Sequence, residues 1–246
     1  MDTVNRFDNR VGDYVGYRPG YPLRAVRAIL DGLGPPERLL AADVGAGTGI
    51  SARLIGNRGV RVVAVEPGER MRGAAAAHPN IAWVSARAEA LGLQSGAFDL
   101  VLCAQSFHWF KSAEALSEFA RILKGGGRLT IMWNGRNNED RPTAAYREAI
   151  VDVGGDITAE RLPFDPEIVD RSTLFSPPHR TRVPNFQRLD LEGLVGRARS
   201  ASYVPKSGAA GERLISLLRV LHTEHADAAG LVTLVYETEI FCWHKL

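Results

Sequence analysis

Three glycines at alternate positions, Gly45, Gly47 and Gly49, follow an apolar run that begins at Leu39 and is broken only by Asp43. Glycine accepts positive φ and lets a backbone pass close to a ligand, so the stretch reads as a buried strand, a ligand-binding turn and the start of a helix. The free N–H groups and positive dipole end of that helix, which runs through Leu54 and Ile55, face the same ligand. The spacing is G-x-G-x-G. The dinucleotide fingerprint G-x-G-x-x-G is not completed, because Ile50 stands where its third glycine belongs, and this opposes a nicotinamide oxidoreductase.

A second acid, Glu66, lies 23 residues beyond Asp43, where the apolar run Val60–Val65 ends at Glu66-Pro67. That is close to the length of a strand–helix–strand unit, and a carboxylate at the tip of the second strand can accept hydrogen bonds from both hydroxyls of a ribose. The blander alternatives are a plain tight turn and a solvated strand-end acid.

These residues need a sheet to hold them, and the first 134 residues supply its pattern. A helix carrying Leu23, Val26, Leu30 and Leu33 on one face is stopped by Gly32, Gly34, Pro35 and Pro36. The helix after the glycine turn reaches about Gly59, and a short Ala-rich helix spans Arg70 to His78. Ile81–Ser85 reads as strand three, Ala86–Leu91 as a polar turn and Phe98–Ala104 as strand four. Lys111–Lys124 is an amphipathic helix with Ala113, Leu116, Phe119, Ala120 and Leu123 inward. Ser112 is its expected N-cap and Gly125-Gly126-Gly127 its expected stop, with strand five from Arg128 to Trp133. Strands alternating with helices predict an α/β, doubly wound parallel sheet.

The second half is less regular. A helix over Thr143–Val153 leads into a Pro-rich stretch to Pro178. Val183–Gln187 reads as a strand that Pro184 confines to an edge. Asp190 caps a helix with Leu191, Leu194, Val195 and Ala198, another helix runs from about Glu212 to Glu224, and Leu231–Trp243 is a long final strand.

The glycine loop with its two acids resembles the cofactor loop of the class I methyltransferases, which use S-adenosylmethionine (SAM) and release S-adenosylhomocysteine. Arg18-Pro19-Gly20-Tyr21-Pro22, Ala88-Glu89 and Ala104-Gln105-Ser106-Phe107-His108-Trp109-Phe110 resemble a small-molecule subgroup, type 11, that includes trans-aconitate methyltransferase-like enzymes. The resemblance implies a seven-stranded sheet of order 3-2-1-4-5-7-6, with strand seven antiparallel and a helical cap. It places Gly45, Ala46 and Gly47 against the methionyl part of SAM and Glu66 on the ribose. Met71, Ala88 and Glu89 fall near the adenine, and Ala104, Gln105 and Ser106 near the amino group and sulfonium. His108, the one histidine of the motif region, is the candidate general base, with packing against Trp109 or ordering of the cofactor loop as its alternative role.

The segment 1–21 is expected to form a lid. Tyr14, Tyr17 and Tyr21 cluster ahead of the first core helix, and Arg18 can fork onto a carboxylate, either that of SAM or that of an acidic acceptor. Packing of the terminus onto the sheet is the simpler reading of the same residues. Residues 22–134 then form the SAM-binding core, 135–181 a cap or insert and 182–246 the C-terminal part of a single methyltransferase domain.

Composition agrees with a globular protein. Of 246 residues, 45% are hydrophobic and 24% charged, and 30 basic against 28 acidic residues leave a net charge of +2, which argues against a nucleic-acid partner. So does Gln105-Ser106-Phe107-His108, where base aminomethylases resemble one another in Asn/Asp-Pro-Pro-aromatic. No run of about 18 apolar residues exists to span a bilayer. Cys103 and Cys242 sit in apolar runs and read as buried thiols in a reducing cytoplasm. His222 and His225 share a helix face but no third metal ligand is evident, so no metal is expected. The expected enzyme moves a methyl group to an oxygen or nitrogen of a small molecule and works as a monomer or homodimer. A SAM-binding sensor without turnover is the alternative.

Overall fold

The apolar runs pair into one seven-stranded sheet of order β3-β2-β1-β4-β5-β7-β6. The computed structural model describes residues 16–154, 165–201 and 203–246. Helix α1 (Leu23–Leu30) leads to β1 (Leu40–Val44), α2 (Ile50–Gly56), β2 (Arg61–Val65), α3 (Glu69–Gly73), β3 (Ile81–Val84) and β4 (Phe98–Ala104). Then come α4 (Ser112–Ile122), β5 (Leu123–Arg136), α5 (Arg141–Val153), α6 (Glu167–Asp170), β6 (His179–Leu189), α7 (Leu191–Arg199), α8 (Gly208–His225) and β7 (Val232–His244). β1 pairs in parallel with β2 and β4, while β7 lies antiparallel between β5 and β6.

Both faces of the central strands are buried, which is why they read as unbroken apolar runs. Along β4, Leu100 and Leu102 pack with Val26 and Ile29 of α1 and Ile55 of α2, while Val101 and Cys103 pack with Leu116 and Phe119 of α4. Pro184 does sit on the edge strand, β6, opposite Glu237. Both cysteines are buried and free.

Several element boundaries depart from expectation. In α1 the buried face is Ala25, Val26 and Ile29, and Leu23 is 58% exposed, because the sheet approaches one residue-row round from the face that carries the leucines. Helix α3 ends at Gly73, short of the alanines, and His78 beyond them bonds Asn57 Oδ1 (3.0 Å) and the Asn80 amide (3.1 Å). Helix α4 turns Ala115 inward and leaves Ala113 outside. Ser112 is not its cap: Lys111 holds that position, and the Lys111 amide donates to Glu89 Oε1 (2.8 Å). The triple glycine does not stop that helix either. Leu123 is already extended and pairs with Phe98, and Gly125–Gly127 form a bulge before Arg128 pairs with Leu100.

The long strands give the sheet its working edge. β4 ends at Ala104 opposite Met132, but β5 continues to Arg136, paired with β7 as far as Tyr236. β6 ends at Leu189 opposite Val232. Three strands therefore stand above the carboxyl ends of β1, β2 and β4. Their overhang packs on α5, α7 and α8 through Tyr146, Ile150, Leu194, Leu214, Leu218, Leu234 and Tyr236. This helical cap is held to the sheet by Thr143, whose hydroxyl accepts from the Val235 amide (2.8 Å).

Candidate active site

The glycine turn lies at the carboxyl edge, between the ends of β1 and β2. The Gly45 and Ala46 amides donate to Val65 O (2.9 and 3.1 Å), and Gly49 N closes the turn on Ala46 O (2.8 Å). Gly45, Gly47 and Gly49 all have positive φ (70°, 59° and 80°), a region costly to residues with a Cβ. A Cβ on Gly45 would stand 2.5 Å from Ser106 Cβ and 3.1 Å from Phe110 Cζ. The glycine is thus required where the loop is pressed against the end of β4.

Glu66 meets this loop directly. Its Oε2 accepts from Gly47 N (3.0 Å) and its Oε1 from Gly68 N (2.8 Å). Burial pushes its pKa up, while the Gly68 and Gly47 amides and the charge of Arg72 pull it down. Asp43 lies beneath, fully buried, accepting from Ser51 Oγ (2.6 Å). Burial pushes its pKa up from 3.8 to about 7, against the Ser51 hydroxyl and the Ala52 amide, which favour the anion. Among the described residues, the buried Asp43 Oδ1 and Thr48 Oγ1 have no hydrogen-bond partner.

The other side of the cleft is the end of β4. Gln105 has a φ of 56°, a strained conformation for a residue with a side chain, held by its amide on Met132 O (2.9 Å). Ser106 is buried and donates to Val44 O (2.7 Å), tying β4 to β1. A 3-10 turn, Phe107–Trp109, then splits the motif by role. Phe107 and Phe110 pack edge-to-face below it, while exposed His108 lies 4.3 Å from the Trp109 ring and 5.0 Å from the Trp133 ring.

Met71 and Ala88 are buried. Met71 projects from α3 and Ala88 from the turn after β3, beside Glu89, whose carboxylate is the one that holds the start of α4. Arg18 is half-buried and donates through Nη2 to Ser200 O (3.3 Å), just after α7. Tyr17 lies against Gly196 of α7, with its hydroxyl donating to Glu192 (3.1 Å). Tyr14 lies outside the described residues. His222 sits on α8 bonded to Gly230 O (2.9 Å), and among the described residues no group of three or more His, Cys, Asp or Glu is arranged to hold a metal. No described helix is long and apolar enough to cross a membrane.

Sequence reasoning missed a polar cluster behind the cleft. Asn134 Nδ2 and Asn185 Nδ2 both donate to Gly20 O (3.2 and 2.9 Å), and Asn134 Oδ1 accepts from Asn185 (3.2 Å) and Thr238 (2.5 Å). The sequence signal for it is slight: Asn134 ends the apolar run of β5, while Asn185 and Thr238 stand among other polar residues of β6 and β7.

Residues 42–131 match the family described as a methyltransferase domain. The chain is 36% identical over 207 residues to an uncharacterised methyltransferase of Mycobacterium tuberculosis, covering 82% of this chain and 79% of that one. Among solved structures, a protein assigned as a type II methyltransferase from Anaeromyxobacter dehalogenans superposes with a TM-score of 0.67 at 22% identity, over 94% of this chain and 98% of that one. Phosphoethanolamine N-methyltransferase 2 of Haemonchus contortus, solved with S-adenosyl-L-methionine, superposes at 0.57 and 17% identity, over 99% and 58%. The glycine turn on a sheet of this order and the long match to the mycobacterial methyltransferase lead to one conclusion: the chain belongs to the class I, SAM-dependent methyltransferases.

Proposed function

We propose that this methyltransferase transfers the methyl group of SAM to an oxygen or nitrogen of a small-molecule acceptor, with an acidic metabolite of the trans-aconitate type as the first class to try. The observation that carries the site is the meeting of the Glu66 carboxylate with the Gly47 amide, 3.0 Å apart, at the carboxyl edge of β1 and β2. The residues fit the cofactor. Gly45, Ala46 and Gly47 form a close-approach cradle for its methionyl part, with Gln105 and Ser106 across from them near the sulfonium. Glu66 keeps lone pairs for two ribose hydroxyls, and Met71 and Ala88 offer apolar contact to a base beside Glu89.

When bound, SAM supplies an electrophilic methyl on a sulfonium, with a neutral thioether as leaving group. The protein's part is to hold the acceptor in line and to exclude water. His108 is the proposed base for a hydroxyl or amine acceptor, with the Trp109 and Trp133 rings beside its own; a carboxylate acceptor needs no base. The lid is proposed for residues 1–21, of which the described part is tied down at Tyr17 on Glu192, Arg18 on Ser200 O and Gly20 on Asn185; residues 1–15 lie outside the described residues.

The test joins calorimetric titration of SAM and S-adenosylhomocysteine with a screen for S-adenosylhomocysteine release over a panel of carboxylic acids, alcohols and amines. Glu66→Ala should cost about 1–3 kcal/mol of cofactor affinity through lost charged hydrogen bonds. Wild-type affinity in that variant overturns the site assignment. Tight cofactor binding without turnover on any acceptor points to a sensor instead.

A further inference from the structure

The turn that carries Glu66 is short of support from its own helix. α3 has five residues and no side-chain cap at Gly68. The carbonyls of Glu66 and Pro67, which leave the sheet here, are both taken by one group: Arg72 Nη1 donates to Glu66 O (2.6 Å) and to Pro67 O (2.8 Å). The same turn is closed by the Arg72 amide on Gly68 O (3.1 Å). On the other side of the peptide, the Gly68 amide holds Glu66 Oε1 (2.8 Å). The guanidinium and the carboxylate therefore fix one turn from opposite sides.

We infer that Arg72 is a positioning residue for cofactor binding: it clamps the Glu66–Pro67 carbonyls so that the Glu66 carboxylate stays aimed at the glycine loop and ready for the ribose. This rests on the reading of Glu66 as the ribose ligand. Arg72 acts without touching the cofactor. A half-buried arginine spends its charge on neutral carbonyls, where a shorter residue would not reach both.

The clamp has an electrostatic side. Two charged groups act on Glu66. Arg72, from α3, favours its ionised form, and Asp43, from β1, is coupled to it by like charge. Of the other charged residues nearby in the chain, Glu69 and Arg70 lie in the first turn of α3, and Glu89 is engaged at Lys111. Burial already raises Glu66, so removing Arg72 raises it further. Ribose hydroxyls donate to the anion, so the acid limb of cofactor binding must then move to higher pH.

The experiment is calorimetric titration of S-adenosylhomocysteine against pH for the wild type, Arg72→Gln, Arg72→Lys, Glu66→Gln and the Arg72→Gln/Glu66→Gln double variant. Arg72→Gln should weaken binding about tenfold at neutral pH, the loss growing as pH falls. Arg72→Lys, which keeps the charge and part of the reach, should restore the wild-type pH profile. In the Glu66→Gln background, Arg72→Gln should cost less than about threefold and shift no pH limb. An equal loss at every pH, repeated in full in the Glu66→Gln background, would mean that Arg72 only supports the fold, and would overturn this inference alone. Wild-type binding by Glu66→Gln would overturn the ribose reading and the inference with it. If Arg72→Gln does not fold, Arg72→Lys decides: weaker binding at the wild-type pH profile, with the loss removed in the Glu66→Gln background, supports the clamp, and the same loss repeated in full in the Glu66→Gln background refutes it.

Discussion

Asp43 should make the folded protein less stable as pH rises through neutrality, and Asp43→Asn should abolish that loss. The carboxyl is fully buried and its pKa is pushed up from 3.8 to about 7, chiefly by burial. The folded protein thus holds a proton that the unfolded chain releases between about pH 4 and pH 7, so the stabilisation is complete at low pH and is lost as pH climbs through the folded value. A displacement of about three units is worth about 4 kcal/mol in all, of which about 2.5 kcal/mol falls between pH 5 and pH 8. Asparagine keeps the shape and an acceptor oxygen for Ser51 Oγ but carries no charge.

The assay is urea unfolding of both proteins at about pH 5, 6, 7 and 8. Glu66 and the surface groups titrate in both chains and fall out of the difference, apart from their coupling to Asp43. The variant should gain about 2.5 kcal/mol on the wild type between the two extremes. Ser51→Ala, which removes a donor to the anion, should move the transition to higher pH. Parallel pH profiles for wild type and Asp43→Asn, within about 0.5 kcal/mol, would show that Asp43 is ionised in the fold throughout, its charge satisfied by groups that the geometry does not reveal.

Two further outcomes follow from the cleft. Gly45→Ala puts a Cβ 2.5 Å from that of Ser106 at a φ of 70°, so it should cost about 1–3 kcal/mol of stability and weaken S-adenosylhomocysteine binding, read by thermal unfolding and titration; full stability would mean that the turn shifts freely. His108→Ala should lower turnover about 10²- to 10⁴-fold while cofactor affinity stays within about twofold; unchanged turnover on the true acceptor would leave its rings' contact with Trp109 and Trp133 as its role.

How much of this could be read from the chain depends on how far apart the contacts are in sequence. The glycine turn was legible because its cause is local: positive φ at Gly45, Gly47 and Gly49, an acid before it and a second acid one strand–helix–strand unit on. The sheet order came from resemblance, not from hydrophobic pattern, since a pattern of strands names no neighbours. What remained hidden lies in pairings that only the order 5-7-6 creates. Asn134, Asn185 and Thr238 come from three strands: the two asparagines donate to Gly20 O, 114 and 165 residues before them, and Thr238 donates to Asn134 Oδ1. Read singly, each is only a polar residue in a strand; together they satisfy one another and leave little buried polarity unpaid, which is the condition for polar groups to sit inside such a sheet. Glu89 makes the same point inside the site. Its place in the motif suggested only a ligand contact, yet its carboxylate also completes the start of α4 from 22 residues away. Helix capping was sought in the adjacent Ser112, because sequence rules look along the chain, whereas an orphan amide takes whichever acceptor the fold brings to it. In the proposed site some groups also hold the scaffold, so substitutions at Glu89 or Ser106 should change structure and binding at once.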